Sequence, residues 1–225
     1  MAVGIFPISL GFDQCYVLKS EGVIAVDAGF PGKGEHFTQG LKRASINPHD
    51  VQLIVLTHGH WDHIGSATEI KNITGGKLAM HHREASWLER SIKPLPPGIT
   101  LWGKVFIGIH KLFMPLITIT PVEVDVLLGD EGLSLADYGI PGKILYTPGH
   151  SSGSVSVLLN TGEAFVGDLA MNRFPLRLSP GPAILGDEPE RISASWKLLL
   201  EHGTTTVYPA HGKPFPADVI RKALS

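Results

Sequence analysis

Cysteine is almost missing from this chain of 225 residues. Cys15 is the only one, so no disulfide can form within the chain. It sits in the apolar run Gln14-Cys15-Tyr16-Val17-Leu18-Lys19 and reads as a small strand residue. No block of Lys or Arg is present, and the net charge is −2. That argues against broad nucleic-acid binding through a basic face. No stretch reaches the length of an apolar membrane span. The first ten residues lack the positive start and long apolar core of a secretory signal. A cytoplasmic location is therefore the default expectation. Hydrophobic content of 43% against 18% charged residues is that of a chain able to bury a core.

Histidine, by contrast, is concentrated. Of 11 histidines, three fall in Thr57-His58-Gly59-His60-Trp61-Asp62-His63. The run before it, Val51 to Leu56, is apolar and β-branched and reads as a buried strand, so this motif begins where a strand ends. Side chains two apart on extended backbone point the same way, which lets His58 and His60 face one point. Asp62 then starts a helix with His63 in its first turn. Neutral imidazoles and carboxylates suit zinc and other first-row metals. Asp62 alone could be an ordinary N-cap, but four such groups this close form a metal cluster.

Taken in order, 3–8, 14–19 and 22–27 read as strands, with Glu21-Gly22 as a hairpin turn between the last two. Asp27 closes the third strand, either capping a turn or bracing the metal loop. Residues 34–44 read as a helix, 62–73 as another and 77–80 as a short strand. His81-His82 either line a cleft or sit in a surface loop. From 83 to 121 the strand-helix alternation breaks. Trp102, Val105, Phe106, Ile109, Leu112, Phe113, Leu116 and Ile117 recur at helical steps between proline-rich breaks. This helical insertion at about 83–121 packs on the core, walls the metal site, or joins two copies as a homodimer through 102–117. The second half offers strands at 123–127, 133–135, 143–147, 154–159, 163–166 and 205–208. Helices follow at 188–202 and 217–224. The loops carry Pro148-Gly149-His150, Gly167-Asp168 and Ala210-His211-Gly212. Met171, Asn172, Arg173 and Arg177 reach a bound anion or are plain loop residues.

His58, His60, Asp62, His63, His150, Asp168 and His211 thus share one feature: each lies in a loop just after an expected strand. In a layered α/β protein such ends gather at one edge of the sheets. With Val26-Asp27-Ala28-Gly29, these motifs resemble, in order, those of the metallo-β-lactamase superfamily of hydrolases. The resemblance spans most of the chain. It implies an α/β fold, a four-layer αββα sandwich, in a single metallo-hydrolase domain over 1–225.

Carried over residue by residue, the resemblance implies that His58, His60 and His150 hold one metal. Asp62, His63 and His211 would hold a second, and Asp168 would bridge them. Asp62 and Asp168 are then the catalytic carboxylates. Two divalent ions are implied, zinc first, with iron or manganese as substitutes. Their four positive charges exceed what Asp62, Asp168 and a hydroxide offset, which favours an anionic or polarisable small-molecule substrate. A metal-bound hydroxide would cleave a small ester, thioester or lactone. Asp168 points to the glyoxalase II-like, lactonase-like and phosphodiesterase-like branches, because the true β-lactamases generally lack that aspartate. The turn at His150 resembles glyoxalase II, while the short stretch after His211 leaves no room for that enzyme's C-terminal helical domain. Two alternatives stand: a mononuclear iron oxidoreductase resembling persulfide dioxygenases, and a phosphodiesterase or nuclease.

Overall fold

The computed structural model describes residues 2–225. Met1, part of the 1–225 domain expected from the sequence, lies outside them. Two six-stranded sheets carry the fold. The first runs in the order β1 (Gly4–Ser9), β2 (Gln14–Lys19), β3 (Val23–Val26), β4 (Val51–Val55), β5 (Lys77–His81) and β6 (Val126–Leu128). Its early strands are antiparallel, and β3 to β6 pair in parallel. The second holds β7 (Leu133–Ser134), β8 (Gly142–Tyr146), β9 (Val155–Leu159), β10 (Glu163–Phe165), β11 (Thr206–Tyr208) and β12 (Phe215–Pro216). β9 and β10 pair antiparallel as a hairpin across Asn160-Thr161-Gly162.

Alternation along the strands builds the layers. On β4 and just beyond it, Leu53 and Val55 face one way, Ile54 and Leu56 the other, and all four are buried. Leu53 and Val55 join Ile24, Val26, Ile144, Val157 and Phe165 in the core between the sheets. Ile54 and Leu56 pack outward with Phe37 and Leu41 of α1 (Gly34–Arg43), Ile64 of α2 (Trp61–Ile64) and Ile70 of α3 (Ala67–Thr74). On the far side, Leu158, Ala164 and Val207 pack against α6 (Pro189–Glu201) and α7 (Asp218–Ala223) through Ile192, Trp196, Leu199 and Ile220. The result is the αββα order of layers.

The single helix expected over 62–73 is two. α2 begins one residue earlier, at Trp61, with His60 at its N-cap, and α3 begins at Ala67. The break has a tertiary cause. Ser66 Oγ donates to the Phe30 carbonyl and accepts from the Lys33 N–H, while Gly65 packs directly on the backbone of Phe30 and Pro31. A side chain at 65 would collide there.

Between β5 and β6 the chain leaves the sheet for α4 (Ala85–Glu89) and α5 (Leu101–Phe113). Thr100 caps α5 by accepting from the Gly103 N–H. Only Gly103 and Ile107 of α5 are buried, so the apolar stripe does not pack chiefly on the core. Instead α5 is clamped to the segment before α6. Ile99 N–H donates to the Ile184 carbonyl, and Trp102 Nε1 donates to the Pro175 carbonyl. Among the described residues, no helix is long and apolar enough to cross a membrane.

Candidate metal centre

All seven side chains singled out in the sequence meet at one edge of the sheets. His58, His60 and His150 bring donor atoms within 4.8 Å of one another. Asp62, His63 and His211 do the same, as do His58, His63 and Asp168. The Asp168 carboxylate lies between the two sets, 3.5 Å from His63 Nε2, 3.4 Å from His211 Nε2 and 3.6 Å from His150 Nε2. Asp62 Oδ2 is 3.3 Å from His211 Nε2. Six of the seven are buried, and Asp62 is partly exposed.

The ring nitrogens turned away from the cluster are held by acceptors. His63 Nδ1 lies 3.0 Å from Asp27 Oδ2, His150 Nδ1 is 3.0 Å from the Leu185 carbonyl, and His211 Nδ1 is 3.0 Å from the Phe12 carbonyl. His58 Nδ1 meets Thr57 Oγ1 at 3.1 Å, and that hydroxyl donates in turn to Asp27. Each of these Nδ1 contacts turns Nε2 inward, the arrangement that orients histidine ligands once the inward nitrogen is free of its proton. His60 is turned over: its Nδ1 lies 2.9 Å from His150 Nε2.

The inward atoms are starved of partners. His58 Nε2, His63 Nε2 and Asp168 Oδ1 are buried without a hydrogen bond. Unsatisfied buried polar atoms are costly, and three converging ones need an occupant. Imidazole nitrogens and carboxylate oxygens in two overlapping sets fit a pair of divalent ions. The cluster is thus consistent with a dinuclear metal site.

Without an ion the charges are strained in opposite directions. Burial, helped by His150, pushes His60 down to about 3, and burial with His63 and His150 lowers His58 well below the usual imidazole range. Burial also opposes charge on His211, but Asp168 and Asp62 outweigh it and hold the ring up at about 9. His63 rises for the same reason against the same burial, through Asp168, Asp27 and Asp62. Burial works against the Asp62 carboxylate, yet His63 and His211 bring it down to about 2. In the second set, protons on His63 and His211 occupy the role that a cation would take.

Asp27 braces the metal loop. Its carboxylate accepts from the Thr57 N–H and hydroxyl as well as meeting His63, and its own N–H donates to the Val55 carbonyl. It holds this position at φ of 65°, in the left-handed region that an aspartate tolerates better than most residues. Two acids escaped the sequence reading. Glu84, fully buried, accepts the Gly59 N–H at 2.7 Å and the Gly153 N–H at 2.6 Å, tying the first histidine loop to the turn that carries His150. Asp13 is buried with neither carboxylate oxygen partnered, and burial raises it to about 7 against the pull of His63 and His211. Glu84 stands at a helix start and Asp13 in a turn, so nothing local marks either.

Residues 171–177 do not present a polar anion site. Asn172 bonds Lys213, Arg173 donates to the Phe12 carbonyl and lies over its ring, and Arg177 donates to the Pro182 carbonyl. Met171 lines the cavity over the cluster. His81 ends β5, buried and stacked on Tyr146, and forms a separate group with His82 and Asp130. Cys15 is a buried strand residue, as expected.

The cluster opens into a cavity of about 350 Å³. Its floor includes His60, Asp62, His150, Asp168 and His211. Apart from His110, its walls are apolar, with Phe12, Phe30, Trp61, Phe106, Ile107 and Leu176. Helix α5 therefore walls the site, one of the alternatives open from the sequence.

The chain is similar to known proteins. Over 152 residues the chain is 27% identical to the Probable metallo-hydrolase YqgX of Bacillus subtilis, covering 67% of this chain and 62% of YqgX. It thus spans less than two thirds of that relative's length. It is 26% identical over 172 residues to the hydroxyacylglutathione hydrolase GloC of Haemophilus influenzae, covering 75% of this chain and 72% of GloC. At that distance the glyoxalase II-like branch is not established. Among solved structures, TTHA1623 in a di-iron-bound form superposes with a TM-score of 0.68 at 24% identity, over 96% of this chain and 97% of that one. Residues 9–211 match the family described as the metallo-beta-lactamase superfamily. With that match covering nearly the whole chain, the chain belongs to the metallo-beta-lactamase superfamily.

Proposed function

We propose that the protein is a dinuclear metal-dependent hydrolase of esters, thioesters or lactones whose acyl part is apolar. One observation supports the reading: His60, Asp62, His150, Asp168 and His211, with Asp168 between the two histidine groups, line the floor of a cavity whose walls are almost entirely apolar. Such a cavity binds by burying hydrocarbon and leaves recognition of the reacting carbonyl to the floor.

When bound, two divalent ions would supply water at a pKa of about 7 and Lewis acidity toward a carbonyl oxygen. His58, His60 and His150 would hold one, Asp62, His63 and His211 the other, with Asp168 shared. Zinc is the first expectation for these donors, and iron or manganese are compatible with them. The chain's own residues do the rest. Asp27, Thr57, Leu185 and Phe12 fix the histidine tautomers. Asp62, the partly exposed ligand, faces the cavity and is placed to hold a proton leaving the attacking water. Phe106 and Ile107 exclude bulk water from the acyl side. The similarity to the hydroxyacylglutathione hydrolase GloC supports hydrolysis at an acyl group, and that to the probable metallo-hydrolase YqgX supports metal-dependent hydrolysis.

The test is metal analysis of protein purified without added metal, joined to a panel of acyl esters, thioesters and lactones of increasing chain length. Two ions per chain are expected, with kcat/KM rising as the acyl chain lengthens. A single iron with oxygen uptake on a persulfide would overturn the hydrolase in favour of the oxidoreductase. Cleavage of phosphodiesters alone would overturn it in favour of the nuclease class.

A further inference from the structure

Helix α5 is apolar on both sides. Its inner side, with Phe106 and Ile107, walls the cavity. Its outer side leaves Leu101, Trp102, Val105, Ile109, Leu112 and Phe113 exposed, with Leu116 in the turn that follows. The exposure is large: 82% for Leu101, 75% for Leu112 and 80% for Leu116. A contiguous exposed apolar patch of this kind marks a surface that meets something.

The charge around the patch selects the partner. From Arg90 to Val122 the chain holds Arg90, Lys93, Lys104 and Lys111 and no aspartate or glutamate. Lys93 is tied down by the Met114 and Ile117 carbonyls. Lys104 and Lys111 are exposed and, seven residues apart, lie along the same margin of the apolar face. A two-fold contact between copies through this face would gather the lysines of both chains with no carboxylate from the segment to balance them. Anionic headgroups supply that balance. Lysine stems reach outward from an apolar face to such headgroups, and a tryptophan at the margin suits the boundary between hydrocarbon and water.

We infer that α5 seats its outer face on an anionic lipid surface. Leu101, Leu112 and Leu116 enter the acyl boundary while Lys104 and Lys111 meet the headgroups. Because the same helix walls the cavity, docking sets the cavity's wall against the membrane. The inference concerns this surface alone and does not depend on the reaction assigned to the metal centre.

The metal-loaded full chain is mixed with phosphatidylcholine vesicles, with and without about 30% phosphatidylglycerol, and sedimented. Co-sedimentation is expected with the anionic vesicles only, and added salt should reduce it. K104E/K111E and L101S/L112S should each lower the partition coefficient by about tenfold or more. All four positions are exposed, so circular dichroism of the variants should match the parent. Absence of co-sedimentation at either composition, or binding that neither variant weakens, overturns the inference. Analytical ultracentrifugation covers the other occupant: a dimer that L101S/L112S dissociates, together with no vesicle binding, assigns the face to a second copy instead.

Discussion

Asp27 Oδ2 stands 3.0 Å from His63 Nδ1, and the same carboxylate receives both the N–H and the hydroxyl of Thr57. One strained residue at the end of β3 thus sets a histidine of the second ligand set and the entrance to the first. Asp27→Asn keeps the shape and tolerates positive φ, but its amide cannot accept on every side. The expected outcome is a folded protein with metal affinity lowered about 10- to 100-fold, measured by competition with a chelator. Unchanged affinity would remove Asp27 from the support of the site.

Asp168 lies within 3.6 Å of three ring nitrogens drawn from both ligand sets. Asp168→Ala should therefore reduce metal content at both positions at once and abolish turnover. Loss of one ion, with the other retained at full occupancy, would show that it is not shared.

The metal-free protein should lose stability as pH rises above neutrality. His211 is held at about 9, above its unfolded value, and His63 is also raised. Stability from such groups is full below about pH 6.5 and is lost as pH rises through about 9. Asp13, raised to about 7 by burial, adds a cost in the same direction between about pH 4 and 7. Chelated protein should thus show a melting temperature that falls between pH 6.5 and 9. Metal-loaded protein should be much flatter there, because cations replace those protons. Calorimetry at pH 7 in buffers of differing ionisation enthalpy should register proton release on metal binding. Equal pH slopes with and without metal would contradict this.

Glu84 makes a separate prediction. Two backbone N–H groups, from Gly59 and Gly153, donate to its two oxygens in a buried setting. Glutamine has one acceptor oxygen, so Glu84→Gln leaves one of those donors facing an NH₂ group. A buried donor left unmade costs about 1–3 kcal/mol, so the melting temperature should drop by several degrees. His150 sits on the turn held by this contact, so metal binding should weaken as well. A variant of unchanged stability would show that the two loops hold without it.

The residues of the candidate metal centre were legible because each follows a strand whose apolar pattern is plain: His58 after β4, His150 after β8, Asp168 after β10, His211 after β11. Strand ends gather at one sheet edge, and that rule alone brings distant residues together. What could not be read depends on contacts between segments remote in sequence. Ser66 breaks the expected helix because of Phe30 and Lys33. Glu84 looks like any acid at a helix start until Gly153, far along the chain, donates to it. The two-residue β12 ends in a proline and has no periodicity to detect. The stripe on α5 gave its helix, but spacing does not say which side of an apolar helix faces the protein.

Two glycines of α5 separate helix propensity from contact. A Cβ at Gly103 would come within 2.2 Å of the Ile184 carbonyl oxygen, a backbone atom that cannot swing aside. A Cβ at Gly108 would meet nothing within 4 Å. Propensity favours alanine over glycine by about 1 kcal/mol at both sites. Gly108→Ala should therefore stabilise the protein by up to about 1 kcal/mol in a denaturant titration. At Gly103 the clash opposes that gain, and overpacking typically costs about 1–3 kcal/mol. Gly103→Ala should be neutral or destabilised and should shift α5 away from Ile184, widening the cavity beside Phe106 and Ile107. Under the proposed acyl hydrolysis, KM should rise for long-chain substrates and change little for acetyl compounds. If Gly103→Ala stabilised as much as Gly108→Ala and left the chain-length profile intact, the contact between α5 and the segment before α6 would not set the size of the site.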